Sequence, residues 1–596
     1  MFWLGANYWP SNYGVRMWEK WSPDEVDREL DGISAMGCRV VRVFILWECF
    51  QPAADGVDEA AMAKFDRLLR SAADRGLKLI PTFTVGHMSG ENWDVSWRDG
   101  RDIYADPAML RAQSRLVTAF AGRYRGEEAI LAWDLGNEPE NFAKPPSVAA
   151  GWLWLRFLSQ EIKVLDPGHP VTVGLCLDSL TRDTGFRPAE AAEATDFLCM
   201  HAYPGYSSLC PDVPQSPRAS LLPAFACLLT RGLGGKDVLF EEFGASDQMV
   251  DAEIVGGYYR AVLPSLLLNG ALGGLAWCAG DFDPCALDLP YETTPYEIGF
   301  GLADAAGNLK AAGRETKEFS RLLEDVGDRI GPPLGEVCIL LPDRYYDHPD
   351  PEVTPLRLAA ALFNAFILAK RAGLHPLFRR PEEDLTGVRL FIAPCVPRRG
   401  YFRASQWRKL LELVAAGKGL YLSYAGLAID GLAEAAGVRI LHPRFPEERE
   451  VCLEDAGLGT SLCYRARTEK RLQVVPDGAQ VLLQDAAGGP GAVLARHGEG
   501  WMLLVTHPVE HYLADTPDAY AGVEAERTHL LYRRVAETLG MSTGIFPPEV
   551  EARAISLIRG DSWLAVNHGA AEVVFGLPGA AELIRLEGKE ARLLPR

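Results

Sequence analysis

The 596-residue sequence contains no apolar run of membrane-spanning length. The longest candidate, around residues 261–276, is broken by Pro264, Asn269 and several glycines. A spanning helix and a membrane partner are therefore not expected. Positive charge is also scarce, with 60 Lys and Arg against 80 Asp and Glu and a net charge of −20. That sign opposes a phosphate backbone, so nucleic acid is excluded as an expected partner and a neutral substrate fits better. The twelve cysteines include no Cys-x-x-Cys pair and no Cys/His cluster at zinc spacing. No metal site and no cofactor is read from them, and most are expected to be reduced core residues. The opening Met1-Phe-Trp-Leu-Gly lacks a basic region followed by an apolar segment, so no secretory signal is expected and a cytoplasmic location is. Internal repeats and low-complexity stretches are missing too.

What is present is an ordinary globular composition, 48% hydrophobic and 23% charged, in a chain too long for one core. From residue 2 to about 280, apolar strand-like runs alternate with helix-periodic segments. The strands are expected over 2–8, 39–45, 77–84, 129–136, 170–176, 196–202, 237–242 and 273–278. A helix over 23–36 opens on Ser22 as N-cap with Pro23 in its first turn, and places Val26, Leu30 and Ile33 on one face. The segments 58–75 (Met62, Phe65, Leu68, Leu69) and 107–124 (Leu110, Leu116, Val117, Phe120) repeat the pattern. Eight such units imply a (β/α)8 TIM barrel, whose active sites lie at the C-terminal ends of the strands.

Those ends are rich in polar and aromatic residues: Asn7-Tyr8-Trp9, Arg42 with Trp47, His87, Asn137-Glu138, Asp178, His201 with Tyr203, Glu242 and Trp277. The run 129–141 is apolar until it ends in Asn137-Glu138-Pro139, and 236–246 has the same form around Glu241 and Glu242. Successive strand residues face opposite ways, so only one of Glu241 and Glu242 is expected to point inward. Two carboxylates on separate strand tips are what glycosidic-bond hydrolysis needs: one protonates the leaving oxygen, and the other attacks the sugar or activates water.

Trp133-Asp-Leu-Gly-Asn-Glu-Pro139, Phe240-Glu-Glu-Phe-Gly244, Arg42 within Val-Val-Arg-Val, His201-Ala-Tyr203 and a Trp closing the eighth strand together resemble clan A retaining glycoside hydrolases, family 5 above all. Gly5-Ala-Asn-Tyr-Trp-Pro10 with Met17-Trp18, the stretch 44–52, and Gly86-His-Met-Ser-Gly-Glu-Asn-Trp93 resemble the bacterial exo-β-mannosidases within it. The resemblance implies that Glu138 is the general acid/base and Glu242 the nucleophile of a double displacement. Glu138 should then start protonated, aided by a partly apolar surround and the charge of Glu242. Arg42 and Tyr203 would keep Glu242 ionised, Asn137 would bind a sugar 2-hydroxyl, and His201 would orient the site. Trp277 is expected as a stacking floor, with Trp9, Trp47, His87 and Trp93 as further substrate contacts. The loop 86–100 is expected as a lid favouring attack from the chain end, and Asp281, Asp283 and Tyr291 as the opposite wall. Glu48 and Glu140 read as solvated or structural.

A linker around 332–335 precedes a second alternation: strands 337–341, 389–393 and 419–424, with helices 355–372 and 406–416. This resembles the flavodoxin-like α/β domain of family 42 β-galactosidases, where it builds a trimer. Cys395 invites comparison with an amidotransferase nucleophile but lacks nucleophile-elbow sequence context. Residues 445–510 read as short strands, 523–539 as a helix, and 552–559, 563–567 and 571–577 as strands of a small C-terminal antiparallel β-domain. The expected domains are 1–331, 334–543 and 546–596. The expected activity is that of a retaining exo-β-glycosidase, foremost a β-mannosidase acting on short oligosaccharides. The alternatives are a family 42-like β-galactosidase, an endo-β-mannanase or cellulase, and a catalytically silent sugar-binding scaffold. Sugar identity and linkage preference are not encoded in any stretch read here.

Overall fold

The computed structural model describes residues 2–330, 333–444, 449–466, 470–521, 526–557, 560–577 and 582–596. Pro332 of the expected linker, the start of the helix expected over 523–539, and Arg559 lie outside the described residues. The chain forms two compact units. One comprises Met1–Ser207, Leu222–Gly331 and Ile555–Ser562, the other Ser208–Leu221, Pro332–Ala554 and Trp563–Arg596.

The first unit is built on eight parallel strands: β1 (Trp3–Tyr8), β2 (Val40–Leu46), β3 (Lys78–Val85), β4 (Trp133–Asn137), β5 (Val171–Gly174), β6 (Leu198–His201), β7 (Val238–Phe243) and β8 (Gly273–Ala276). They lie in the order β5-β4-β3-β2-β1-β8-β7-β6, and a parallel bridge between Cys176 and His201 closes the ring. β2 and β7 are buried along their whole length. Strands covered on both faces read as continuous apolar runs, which is why the barrel was legible. The chain joins β4 later than expected. Ala129 and Leu131 exchange backbone hydrogen bonds with Leu79 across a single bridge at Ile130 before regular pairing begins at Trp133.

Inside the ring, Val40, Ile80, Ala132, Cys199 and Leu239 pack with Phe197 and Leu275 into one apolar cluster. Two residues further along the same strands come Arg42, Thr82, Asp134, His201 and Glu241, all buried. Because side chains repeat their facing every second residue, an apolar layer is followed directly by a polar one. Each buried aliphatic side chain of the lower layer contributes about 1.5–3 kcal/mol, which helps to offset the cost of the layer above.

The helices that cover the ring start where the sequence indicated. Ser22 accepts from the Glu25 amide, Asp58 from Ala61, and Asp106 from Ala108 and Met109. Met109, rather than Leu110, is buried on the third of these helices.

The second unit carries a nine-stranded sheet of β9 (Val337–Leu340), β10 (Pro376–Arg379), β11 (Leu390–Pro397), β12 (Gly419–Ala425), β13 (Glu450–Asp455), β14 (Leu462–Arg465), β15 (Gln480–Gln484), β16 (Pro490–His497) and β17 (Gly500–Val505). Its order is β10-β9-β11-β12-β17-β16-β15-β13-β14. The first five are parallel in the 2-1-3-4-5 order of a flavodoxin-like sheet, and the rest are antiparallel. The C-terminal region holds a three-stranded sheet of Val550–Leu557, Gly560–Asn567 and Ala591–Pro595, with a two-stranded antiparallel sheet of Val573–Gly576 and Leu583–Leu586. Ten cysteines are free thiols, nine of them buried. Cys452 and Cys463 form a disulfide across the β13–β14 pair.

Candidate active site

The polar layer centres on Arg42. This fully buried guanidinium donates from Nε and Nη2 to Asp134 Oδ2 at 3.1 and 2.8 Å, and from Nη1 to Asn7 Oδ1 at 3.2 Å and to Glu242. Its Nε also lies 3.3 Å from Glu241 Oε1. Burial opposes the charge of Arg42, but Glu241, Asp134 and Glu242 outweigh it and hold the group above its ordinary value. Asp134 accepts in turn from Thr82 Oγ1 at 2.7 Å and from the Gly174 amide at 3.0 Å. A Cβ on Gly174 would stand 2.7 Å from Arg42 Nη2 and 2.9 Å from His201 Nε2, so glycine is what lets these charges meet.

Both Glu241 and Glu242 face this layer, contrary to strict alternation. Phe240 pairs with Gly274 and Phe243 with Ala276, so two residues of β7 stand opposite one of β8. The register with β6 shifts at the same point. Such a bulge re-aims side chains. Glu241, two residues beyond the inward Leu239, faces Arg42 and His201 by ordinary alternation, and the bulge brings Glu242 to the cavity above.

His201 links the carboxylates. Its Nδ1 lies 3.0 Å from Glu138 Oε1 and 3.5 Å from Glu242 Oε2, and its Nε2 lies 3.4 Å from Glu241 Oε2. With an acceptor at each ring nitrogen, the doubly protonated imidazolium is the favoured form. Burial lowers the His201 pKa, but the Glu242 charge and the contacts to Glu138 and Glu241 prevail and raise it to about 10.

Burial would likewise raise Glu138, yet hydrogen bonding and charge from His201, with Asn141 donating at 2.8 Å, hold it down to about 2. Both directions favour the proton of this contact on the His201 side, the reverse of the protonated Glu138 expected from the sequence. Glu242 is raised above its ordinary value by burial, against the opposing charges of His201 and Arg42 and the Tyr203 hydroxyl, which donates at 2.8 Å. Asp134 is raised to about 6, chiefly by burial and by the Glu241 charge, although both its oxygens accept hydrogen bonds.

Glu138 sits in the left-handed region at φ +45°, an unusual conformation for a side-chain-bearing residue that projects it from the end of β4. The nearest oxygens of Glu138 and Glu242, with a ring nitrogen of His201, all lie within 4.8 Å of one another. That spacing could admit a cation, but the Arg42 guanidinium already occupies a Glu242 oxygen and would repel one. Asn137 donates to the His87 carbonyl at 3.0 Å and keeps a buried Oδ1 with no partner among the described residues, an acceptor available to a hydroxyl.

Glu138, Glu242, His201, Tyr203, Asn137 and Asn141 line a cavity of about 240 Å³ together with His87, Trp277, Tyr206 and Glu297. The loop after β3 folds into a short antiparallel ladder, His87–Met88 with Glu91–Asn92, turning through Ser89 and Gly90 at φ +50° and +84°. It is tied to the loop after β8: Ser89 Oγ donates to Glu297 Oε2 at 3.0 Å, Thr294 Oγ1 to the Ser89 carbonyl at 3.0 Å, and Thr293 Oγ1 to Glu91 Oε1 at 2.8 Å.

Of the residues read as candidates, Glu138, Glu242, Asn137, His201, Tyr203, His87, Asp178 and Trp277 line this cavity, with Arg42 beneath it on Glu242. Trp9, Trp47, Trp93, Asp281, Asp283 and Tyr291 lie outside the lining. Trp9 is buried in a stack on Phe44, and Trp47 opens a helical turn where its Nε1 donates to Gln51 at 2.8 Å. Trp93 is buried, with its amide bonded to the Gly86 carbonyl, and Asp281 is held by Lys310 at 2.7 Å. Asp134, Glu241, Asn141 and Glu297 are additions. An Asp inside an apolar strand was a readable signal for the first, whereas Glu297 lies on a 3-10 turn, Pro295–Gly299, with no periodic pattern around it. Glu140, read as solvated or structural, is buried and accepts from the Cys176 amide at 2.8 Å, and burial lifts it to about 7.

Residues 6–260 match the family described as Cellulase (glycosyl hydrolase family 5). Mannan endo-1,4-beta-mannosidase A of Emericella nidulans is 26% identical over 301 residues, covering 46% of this chain and 75% of the relative. The solved exo-beta-1,4-mannosidase from Opitutaceae bacterium strain TAV5 is similar with a TM-score of 0.75 and 26% identity, over 86% of this chain and 93% of that one. The beta-galactosidase from Rahnella sp. R3 shares the fold at a TM-score of 0.72 and 15% identity, over 100% and 98% of the two chains. The matched segment spans the strands that carry Arg42, Glu138 and Glu242, so the barrel is similar to glycoside hydrolase family 5 where its carboxylates lie, and the protein is a glycoside hydrolase.

Proposed function

We propose that the protein is a retaining exo-β-mannosidase in which Glu242 is the nucleophile and Glu138 the acid/base. The observation that carries this reading is the separation of the two carboxyl groups, whose nearest oxygens lie within 4.8 Å. Retaining enzymes hold the pair about 5–5.5 Å apart, whereas inverting ones leave about 6.5–9.5 Å for a water. Glu242 attacks the anomeric carbon as the glycosidic C–O bond breaks, and Glu138 passes a proton to the departing oxygen. Water, deprotonated by Glu138, then displaces Glu242 and releases the sugar with retention. The His201–Glu138 contact supplies that proton, one transfer from the leaving group.

Exo action is supported by the ties between the loops after β3 and β8, and by a cavity below the roughly 300–1,000 Å³ common for ligand pockets. The endo-mannosidase similarity favours the opposite mode, so the products decide. The expected result is faster hydrolysis of 4-nitrophenyl β-mannoside than of the β-galactoside, single mannose release from mannotetraose, and a β-anomer as the first product by NMR. Internal cleavage would overturn the exo reading, and an α-anomer would overturn the retaining one. A trimer built by the second unit and a cytoplasmic location belong to the same proposal. Sedimentation equilibrium and cell fractionation test them.

A further inference from the structure

Glu297 is the third carboxylate of the cavity and takes no part in the chemistry above. It is more than nine-tenths buried, on the turn Pro295–Gly299 beyond β8. Its Oε2 accepts from Trp277 Nε1 at 3.0 Å and from Ser89 Oγ at 3.0 Å, which fixes the plane of the carboxylate between the aromatic floor and the loop after β3. Its Oε1 has no hydrogen-bond partner among the described residues, although the residue lines the same cavity as Glu138 and Glu242. Burial, and to a lesser extent the charges of Glu242 and Glu138, raise its pKa to about 7 despite the two donors. This open acceptor faces the cavity, where a donor can reach it.

The substrate can supply that donor. A sugar held between Glu138 and Glu242 shares one cavity with Trp277 and Glu297, which are joined by the Trp277 Nε1 hydrogen bond, so its ring hydroxyls lie in the same enclosure as the open oxygen. We infer that Glu297 is a specificity-determining residue that accepts hydrogen bonds from free hydroxyls of the terminal sugar and so admits chain ends only. The chemistry is one-sided. Above its pKa of about 7 Glu297 is an acceptor only, so a free hydroxyl donates to it, whereas a glycosidic oxygen at the same ring position carries no hydrogen and would set one acceptor against another; the assay is therefore run at pH 8. An unpaired buried polar group discriminates far more strongly than a missing methylene does. The inference rests on the exo-glycosidase reading and gives that reading a chemical cause beyond loop closure.

The test measures kcat/KM for 4-nitrophenyl β-mannoside and its 3-, 4- and 6-deoxy analogues with the full-length enzyme and its Glu297→Gln and Glu297→Ala variants. In the wild type, removing a recognised hydroxyl should lower kcat/KM about 10- to 100-fold, the range of a hydrogen bond to a charged group. In Glu297→Ala the same removal should cost less than about threefold, with Glu297→Gln in between. A wild-type series flat at all three positions, or a penalty of full size persisting in Glu297→Ala, overturns the inference. Labelling of Glu242 by a 2-deoxy-2-fluoro mannosyl fluoride separates the two levels. Labelled enzyme with no coupling between Glu297 and any hydroxyl sinks this inference alone, whereas unlabelled wild type sinks the exo-mannosidase reading beneath it. The wild-type deoxy series needs no variant, so a poorly folding Glu297→Ala leaves the question open to decision.

Discussion

Each unit buries a carboxylate beside a residue in left-handed conformation, and the two arrangements have opposite chemical meaning. In the barrel, Glu138 stands at φ +45° and Glu242 faces it across a cavity. In the second unit, Cys395 stands at φ +47° within β11, and its thiol lies 3.3 Å from Glu510 Oε2. Glu510 is saturated: Tyr421 and Tyr532 donate to Oε1 at 2.6 and 2.7 Å, and Ser423 and Cys395 donate to Oε2. No cation is needed because four uncharged donors solvate the carboxylate. Burial and the Glu510 charge push the Cys395 thiol well above its ordinary value, so sulfur stays protonated and is no nucleophile. The barrel carboxylates instead meet charged partners and an open space. A buried carboxylate therefore signals catalysis when its partners are charged and its remaining valences face a cavity, and structure when neutral donors fill every lone pair.

The comparison breaks first at Glu242. Glu242→Ala is expected to lower kcat by about 10⁵-fold or more, as removal of a nucleophile does. Azide should restore turnover of an activated mannoside with inverted product. Cys395→Ser, by contrast, is expected to leave kcat/KM within about twofold. Rescue obtained by changing Glu241 instead of Glu242 would reassign the nucleophile. Next in size is Glu138→Ala. For poor leaving groups it should cost about 10²- to 10⁴-fold, the usual share of general acid catalysis, and far less for 2,4-dinitrophenyl mannoside. An equal loss on both substrates would remove Glu138 from the acid role.

How much of this was legible follows from the same physics. Strand runs buried on both faces, Ser, Asp and Pro at helix starts, and the two Glu-bearing tips all leave local traces, and so the barrel and its carboxylate pair could be read from residues alone. That Glu241 and Glu242 both face the site could not be read, because a bulge is set by pairing with β6 and β8 and leaves β7 itself looking regular. Trp9 and Trp47 were legible as aromatics near the rim, yet an indole can bury its face against Phe44 or bond Gln51 as readily as it can meet a sugar. Glu297 depends on two loops meeting across the barrel mouth, information spread over about two hundred residues. The left-handed backbone at Cys395 was likewise invisible, although the conclusion drawn from its sequence context, that it is not a nucleophile, agrees with its protonated thiol.

A stability measurement sharpens the contrast from the other side. Glu510→Ala leaves three hydroxyls and a thiol buried without their acceptor. It is expected to destabilise the second unit by about 2–4 kcal/mol, with kcat/KM of the folded enzyme unchanged. Chemical denaturation followed with a probe in that unit, alongside an activity assay, checks both halves. Loss of activity without loss of stability would mean that Glu510 does more than hold the sheet together.

The smallest effect concerns pH. The pKa of His201 is raised from 6.5 to about 10, so the stability it gives the barrel is complete below pH 6.5 and is lost as pH rises through about 10. Glu138 is lowered from 4.5 to about 2, so its contribution is complete above pH 4.5 and is lost as pH falls through about 2. The pair is therefore fully stabilising between pH 4.5 and 6.5. The difference in thermal midpoint between wild type and His201→Gln should be largest in that window and shrink toward pH 10 by roughly 2–4 °C, the shift that about 1 kcal/mol produces in a large domain. The same difference for Glu510→Ala should stay flat from pH 6.5 to 9, because Tyr421, Tyr532 and Cys395 are all held protonated above their ordinary values. A flat His201 profile would mean that the imidazole is neutral and that the barrel carboxylates, like Glu510, are solvated without a second cation.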